Sequence, residues 1–181
     1  MAGAVNAIFA VGQRGEFAIQ DGSLPWRASA GLRSDARRDM EHFKRLTKGC
    51  AVVMGYNTWR TLLHPLEGRL NVVIDHNTHS TPDAAALGAL AGEECFCFYP
   101  TLEAALWALR TLQRRVFLIG GKALFERAFS RGLVGGVVYQ TVFDASFPQA
   151  AVYFSLPAGL ELVKSERVGG LTFSEYQAVR R

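Results

Sequence analysis

The chain has 181 residues, of which 49% are hydrophobic and 20% charged, so its composition excludes a disordered or low-complexity protein. The length suits one globular domain over residues 1–181, and the apolar runs fall well short of the ~20 residues that cross a bilayer. The formal net charge of +4 suits an acidic small ligand as well as nucleic acid. Aromatic residues do not alternate with basic ones as single-strand binders require, so we expect no nucleic-acid partner. The short apolar runs likewise predict no membrane partner.

The cysteines and the amino terminus bear on the compartment. Cys50, Cys95 and Cys97 are too few, and odd in number, for a disulfide framework, which indicates a reducing environment. Residues 1–10 lack the basic region that opens a secretory signal. The sequence therefore predicts a cytoplasmic protein.

Most strand-like segments are continuous apolar runs rather than alternating ones. Such runs are typical of strands covered on both faces, as in a mostly parallel sheet. Helical periodicity lies between them, in residues 35–46, in 102–112 after Thr101 as an N-cap, and in 123–129. The predicted strands are, in chain order, residues 4–11, 50–54, 70–74, 95–99, 115–119 and 137–143.

The carboxyl-terminal segments 160–168 and 171–179 are also strand-like, and the two glycines between them are typical of a hairpin turn. Strands joined by a two-residue turn must be antiparallel. The whole pattern predicts an α/β fold with a mixed, mostly parallel sheet that is antiparallel at its C-terminal end. Two connections, 12–33 and 77–94, are long enough to be binding loops, although the second could equally be an exposed connector.

Two glycine-containing turns each join a strand to a helix, at residues 54–59 and 119–122. Glycine lets the backbone approach a ligand closely, and a helix N-terminus offers unpaired N–H groups to a phosphate. Two such junctions would suit a dinucleotide. Ordinary tight turns and capped helices explain them equally well at this point.

Asp39 and Phe43 lie four residues apart, on one face of a predicted helix. A buried carboxylate beside an aromatic ring is costly and has a raised pKa, unless a planar cationic heterocycle pairs with it. Alternatively, Asp39 belongs to an exposed acidic edge with Asp35 and Glu41. Arg69, at the entrance of a strand, could bind a carboxylate bidentately or be a plain surface arginine.

Several short motifs, each unspecific alone, occur together in one order and spacing. They are Leu24-Pro25-Trp26, Asp39 with Phe43-Lys44, Val53-Met54-Gly55 with Thr58-Trp59, Pro65-Leu66 with Gly68-Arg69, and Ile119-Gly120-Gly121. As a set they resemble the dihydrofolate reductases over residues 4–181. The resemblance implies a single domain with a mixed eight-stranded sheet flanked by helices.

The resemblance also implies an activity. It is the NADPH-dependent reduction of 7,8-dihydrofolate to tetrahydrofolate, with hydride transfer to C6 and protonation at N5, which supports one-carbon metabolism. It implies a monomer that also takes antifolate-type inhibitors. The spacing of the cysteines and histidines supplies no ligand set for a metal, so we expect none. Other functions compatible with the residues are a same-fold reductase of another pterin or a ribosylated pyrimidine, and a non-catalytic nucleotide- or pterin-binding module.

Residue by residue, the resemblance assigns catalytic roles to Asp39, which would hydrogen-bond the pterin, to Trp26, which would order water near it, and to Thr141, which would orient its carboxylate. The implied substrate contacts are Ala7, Ile8, Phe43, Leu62, Leu66, Arg69 and Ile119. The implied cofactor contacts are Ile8, Ala18, Ile19, Gly55, Tyr56, Asn57, Thr58, Asp75, Gly120, Gly121, Lys122, Ala123, Leu124 and Phe125.

Three features depart from the family pattern. Tyr56 stands where a basic residue often helps hold the 2′-phosphate, and Asp75 stands where a small hydroxyl residue is common. Because Asp75 could repel a phosphate or bond a free ribose hydroxyl, the choice between NADPH and NADH is inherited from the family alone. Residues 27–38 lengthen the connection after Trp26, which leaves Asp35 as an alternative to Asp39.

Overall fold

The computed structural model describes residues 4–79, 81–90 and 94–179, and this part of the chain contains an eight-stranded sheet beside a two-stranded one. The larger sheet confirms the predicted mixed α/β fold. Its strands are β1 (Val5–Val11), β3 (Ala51–Gly55), β4 (Leu70–Ile74), β5 (Phe96–Tyr99), β6 (Val116–Gly120), β7 (Val138–Phe143), β9 (Leu160–Val168) and β10 (Leu171–Ala178).

The strand order is β5-β4-β3-β6-β1-β7-β10-β9. The strands from β5 to β7 pair in parallel, whereas β10 pairs antiparallel with both β7 and β9. The continuous apolar runs arise because the central strands are covered on both faces: Ala51, Val52, Val53 and Met54 are all 0% exposed.

The helices are α1 (Arg33–Thr47), α2 (Tyr56–Trp59), α3 (Ala84–Ala89), α4 (Leu102–Leu109) and α5 (Lys122–Ser130). Two short 3-10 turns, Pro25–Ala28 and Ala30–Leu32, lead into α1. Helix α3 lies in the second long connection, so that segment is not a plain connector. Its start is capped by Asp83, whose side chain accepts from the N–H of Ala86 at 2.8 Å. No helix in the described ranges combines the length and apolar character needed to span a membrane.

The first long connection contains a strand that the sequence did not predict. Strand β2 (Glu16–Ala18) pairs antiparallel with β8 (Val152–Tyr153) to form the small sheet. Strands of three and two residues are too short to show a period, which is why the sequence pattern did not predict them. This sheet joins the connection after β1 to the connection after β7.

Two hydrophobic clusters cover the two faces of the main sheet. One contains Leu109 of α4 and Phe125 of α5, and the other contains Phe117 together with Phe43 of α1. Because side chains alternate along a strand, neighbouring residues of β1 enter different clusters. The face that carries α1 also carries the main apolar cavity.

Candidate active site

A cavity of about 220 Å³ lies between β1, α1, α2 and the connection that contains β2. Most of its lining is apolar, and a few polar groups converge on it, which is typical of a small-molecule site. The sequence-predicted residues that line it are Ile8, Ala18, Trp26, Asp39, Phe43, Thr58, Leu62, Leu66 and Ile119.

Asp39 is the acidic residue among those that line the cavity, and it is only 9% exposed. Burial penalises the charged carboxylate and raises the pKa of Asp39 to about 6, while a hydrogen bond with the Thr141 side chain opposes the rise. Thr141 lies in β7 and is 3% exposed, so the pair brings α1 and the sheet together. The wall of the apolar cavity therefore carries a carboxyl group whose pKa lies closer to neutral pH than that of an ordinary aspartate.

Asp35, the alternative acid, lies elsewhere. It forms an ion pair of 3.2 Å with Arg38 and packs under the β9–β10 turn, where a Cβ built on Gly170 would lie 2.6 Å from its Oδ2. Asp35 is not among the residues that line the cavity. The geometry therefore favours Asp39 as the carboxylate of the site.

Trp26 is 2% exposed and forms part of the cavity wall. Its ring stacks on Phe143 of β7 with 4.2 Å between ring centroids and 20° between planes. The preceding residue is also held, because the Gln149 side chain donates to the carbonyl of Pro25 at 2.9 Å. These contacts hold the Leu-Pro-Trp motif against the connection between β7 and β8.

Arg69 lies beside the cavity rather than in its lining. Its guanidinium carbon is 5.7 Å from the centre of the Phe43 ring, and its Nη1 donates to Oγ1 of Thr47 at 3.1 Å. Ala7 follows the alternation of β1 and points away: its side chain packs in the cluster on the opposite face, whereas Ile8 faces the cavity.

The two glycine junctions meet at the carboxyl ends of β3 and β6. A Cβ built on Gly55 would lie 3.7 Å from the backbone N of Gly121, and one on Gly121 would lie 3.3 Å from Oγ1 of Thr58. Gly120 has φ +117°, a conformation that L side chains rarely adopt. No side chain caps either α2 or α5 at its N-terminus, so backbone N–H groups at both helix starts remain available to a ligand.

The remaining predicted cofactor residues surround this junction in different ways. In α5, Leu124 and Phe125 are buried in the core, Ala123 is exposed, and Lys122 pairs with Glu126 at 3.6 Å. The side chains of the two buried residues therefore serve packing, and only their backbone could face a ligand.

On the other side of the junction, Tyr56 is 41% exposed and Asn57 is also exposed. Asp75 follows β4, and its carboxylate accepts from the N–H of Asn77 at 3.0 Å. Ile19 is half-buried next to Ala18 of β2. None of these four predicted residues contributes to the cavity lining.

Half of the cavity wall was not predicted from the sequence. Much of it comes from the connection after β1, which has no periodicity to reveal its orientation. Leu24 belongs to the Leu24-Pro25-Trp26 motif and Met40 directly follows Asp39, so their closeness to predicted residues could have indicated them. The unpredicted lining residues are Phe9, Ala10, Phe17, Gly22, Ser23, Leu24, Arg27, Met40 and Thr61.

Comparisons with known proteins agree with this geometry. A family model described as dihydrofolate reductase matches residues 5–156. The type 3 dihydrofolate reductase of Salmonella typhimurium is 36% identical over 126 residues, which cover 70% of this chain and 64% of that protein. A bifunctional dihydrofolate reductase-thymidylate synthase of Paramecium tetraurelia is 31% identical over 59% of this chain and 19% of its own length.

A solved structure shows the same fold. Dihydrofolate reductase from Enterococcus faecalis, complexed with NADP(H) and RAB-propyl, superposes with a TM-score of 0.74 at 21% identity and covers 98% of both chains. The matches to the two curated relatives above span less than two thirds of each relative's length. The family model, in contrast, covers most of this sequence, and the chain belongs to the dihydrofolate reductase family.

Proposed function

We propose that the protein reduces 7,8-dihydrofolate to tetrahydrofolate with NADPH as the hydride donor. The observation that carries the proposal is one arrangement: a buried carboxylate in an apolar cavity, next to two glycine junctions that meet in space. The relatives named as dihydrofolate reductases support it. A cytoplasmic, single-domain monomer whose partners are small molecules, antifolate-type inhibitors among them, is part of the same proposal.

In this proposal Asp39 binds the polar edge of the pterin. Its two carboxylate oxygens accept from N3 and the 2-amino group of the ring, while Thr141 holds the carboxylate in place. Phe43, Ile8 and Ile119 cover the ring faces and exclude water, which strengthens the polar contacts. An ionised Asp39 next to the ring stabilises the positive charge that develops when N5 takes a proton from water.

The residues at the glycine junctions fit a dinucleotide. The uncapped starts of α2 and α5 supply N–H groups for the pyrophosphate, and Thr58 lies between them. Ala18 of β2 and Ile8 of β1 line the part of the cavity where the nicotinamide would meet the pterin. NADPH supplies the hydride when bound, and the protein contributes by holding the two rings together and keeping water out.

Arg69 favours a substrate that carries a carboxylate tail. It is half-buried next to Phe43, and burial lowers the pKa of its guanidinium, which a bound carboxylate would reverse. A pterin without a glutamate, or a ribosylated pyrimidine, would leave this cation without a ligand. Dihydrofolate therefore fits better than either alternative substrate.

The test is a spectrophotometric assay of the purified protein. NADPH should be oxidised only when dihydrofolate is present, and a dihydropterin that lacks the tail should react with a higher KM. NADH is measured in parallel, because Tyr56 and Asp75 bear on that choice. Binding of both ligands by calorimetry without turnover would contradict the proposal and indicate a non-catalytic module instead.

A further inference from the structure

Asn71 is a polar residue inside the apolar strand β4. The other residues of the strand are all apolar, and Asn71 is 0% exposed. The strand register places it beside Val52 of β3 and Phe96 of β5, which belong to or pack against the hydrophobic cluster on the α1 face of the sheet. A buried amide must replace its lost hydration with hydrogen bonds, so packing alone would favour an aliphatic side chain here. The reason for an amide at this position therefore lies in its hydrogen-bond partners.

The Asn71 amide makes three hydrogen bonds to the turn that precedes β4. Its Oδ1 accepts from the N–H of Leu66 at 2.9 Å, and its Nδ2 donates to the carbonyls of Leu66 and Arg69, both at 3.0 Å. Between these two residues the chain turns at Gly68, whose φ of +67° is in the left-handed region. Residues 66–69 belong to no helix or strand, so the Asn71 side chain fixes the backbone at both ends of the turn.

This turn carries two residues of the candidate site. The Leu66 side chain lines the cavity, and the Arg69 guanidinium lies beside it, 5.7 Å from the centre of the Phe43 ring. The Arg69 side chain is also held by α1, because its Nη1 donates to Oγ1 of Thr47 at 3.1 Å and that hydroxyl donates to the carbonyl of Phe43 at 2.8 Å. Asn71 thus fixes the backbone, and Thr47 the side chain, of the same arginine.

We propose that Asn71 is a positioning residue for substrate binding. It holds the 66–69 turn in the conformation that presents the Leu66 side chain and the Arg69 guanidinium to one ligand. The inference rests on the proposed function, since that ligand is the dihydrofolate whose benzoyl group and carboxylate tail would meet these two residues. Asn71 itself does not line the cavity, so the turn transmits its effect on the substrate.

Asn6 is a matched control for Asn71. It is also a buried asparagine of a parallel strand, 6% exposed in β1. Its amide likewise makes three hydrogen bonds to backbone groups: it donates to the carbonyls of Ala4 at 3.2 Å and Val116 at 3.1 Å, and it accepts from the N–H of Val137 at 2.9 Å. None of these partners lines the cavity. Loss of the Asn6 amide therefore removes a similar set of hydrogen bonds without changing the 66–69 turn.

The experiment compares Asn71→Asp with Asn6→Asp in the full chain. Asn71→Asp keeps the acceptor for the Leu66 N–H and replaces the amide donors by an oxygen that faces two carbonyl oxygens. We expect the KM for dihydrofolate to rise about five- to thirtyfold, because two hydrogen bonds that hold the turn are lost. The kcat and the KM for NADPH should stay unchanged, since the tail binds equally in the ground state and the transition state. Asn6→Asp should keep the wild-type KM for both.

A dihydropterin without the tail supplies a second readout. It lacks the benzoyl group and the carboxylate, so its KM should be the same in Asn71→Asp and in the wild type. A purely structural role of Asn71 would instead affect both substrates alike, or lower only the amount of active enzyme. Thermal unfolding checks the fold of each variant. If Asn71→Asp does not fold, Asn71→Ala, which buries no carboxyl group, should show the same selective rise in KM.

The outcomes separate the role of Asn71 from the proposed function. An unchanged KM for dihydrofolate in a folded Asn71 variant, or an equal rise in Asn6→Asp or with the tail-less substrate, would overturn the positioning role while the reductase activity stands. A wild-type protein that does not reduce dihydrofolate would contradict the proposed function, and the positioning role with it.

Discussion

Two buried carboxylates lie in different regions of the molecule, and their surroundings shift their pKa values in opposite directions. Asp39 in the cavity wall is 9% exposed, and burial raises its pKa to about 6 against a hydrogen bond from Thr141. Glu16 in β2 is 2% exposed, and burial alone would raise its pKa too. Hydrogen bonds from backbone N–H groups, those of Phe147 and Arg14 among them, outweigh burial and bring the pKa of Glu16 below its ordinary value of 4.5.

The difference shows that the supply of donors, rather than the depth of burial, decides what a buried carboxylate does. The Glu16 carboxylate accepts from the N–H of Phe147 at 3.0 Å and from that of Arg14 at 2.7 Å, so backbone donors of the protein already satisfy it. Asp39 has the Thr141 hydroxyl and keeps acceptor capacity for a ligand. Glu16 anchors β2, which borders the cavity, to the connection after β7, whereas Asp39 can still accept hydrogen bonds from a bound ligand.

The largest effect is expected from Asp39→Asn on the proposed activity. An amide cannot stabilise the charge that develops on the pterin, so kcat/KM for dihydrofolate should fall by about a hundredfold or more. Asp35→Asn is the matched control on the same helix and should stay within about threefold, because Asp35 lies outside the cavity and its ion pair with Arg38 is partly exposed. Initial rates of NADPH oxidation measure both; equal losses in the two variants would remove Asp39 from its proposed role.

The same substitution should stabilise the fold at neutral pH. The pKa of Asp39 rises from 3.8 to about 6 on folding, so the wild type loses stability as the pH rises between these values and the buried carboxyl ionises. Asp39→Asn lacks this loss and should be more stable by about 1–3 kcal/mol above pH ~7, with the difference vanishing below pH ~4. Urea unfolding across this pH range measures it; a difference that does not vary with pH would be inconsistent with a buried, titrating Asp39.

Glu16→Gln should change stability in the opposite sense. The lowered pKa means that ionised Glu16 stabilises the fold above its ordinary value of 4.5, and that this contribution is lost as the pH falls through the lower, folded-state pKa. An amide replaces one acceptor oxygen by a donor next to buried N–H groups, which costs about 1–2 kcal/mol at neutral pH. Glu161→Gln on the exposed edge strand β9 is the control, and urea unfolding measures the stability of both variants. If Glu16→Gln is as stable as Glu161→Gln, Glu16 does not anchor β2 to the connection after β7.

The smallest effect is expected from Thr141→Val, which keeps the size of the side chain and removes its hydroxyl. Without that hydrogen bond the pKa of Asp39 should rise further, so the pH profile of kcat/KM should move to higher pH. The loss of one hydrogen bond should cost about 0.5–1.5 kcal/mol, or a few-fold in kcat/KM. A pH profile identical to that of the wild type would show that Thr141 does not hold the Asp39 carboxylate.

Much of the fold follows from local patterns along the chain. The continuous apolar runs predict buried parallel strands, and the glycines after β9 predict the antiparallel hairpin, because both depend on neighbours a few residues apart. Strands β2 and β8 were not predicted, since each is held by a partner more than a hundred residues away. Helix α3 was not predicted either, although Asp83 is an ordinary N-cap, because its alanines show no apolar periodicity.

The residues of the candidate site also fall into those that the sequence predicts and those that only the tertiary structure reveals. Trp26, Asp39 and Phe43 could be singled out from motif order and helical spacing, and the structure places all three around one cavity. Ala7 and Ile8 are equally apolar neighbours, and only the sheet decides that one faces the core and the other the cavity. The same holds for Phe17, which reaches the cavity through β2.

The sequence by itself determined the fold class, the family and the residue types that could bind a heterocycle and a dinucleotide. These follow from the local periodicity and from the order of short motifs. Only the tertiary structure decided that Asp39 rather than Asp35 lines the cavity, and that the two glycine junctions touch. It also decided that backbone N–H groups already hydrogen-bond the Glu16 carboxylate. Each of these depends on groups brought together from distant parts of the chain, and a pKa or a binding surface is a property of such neighbours rather than of a residue's own position in the chain.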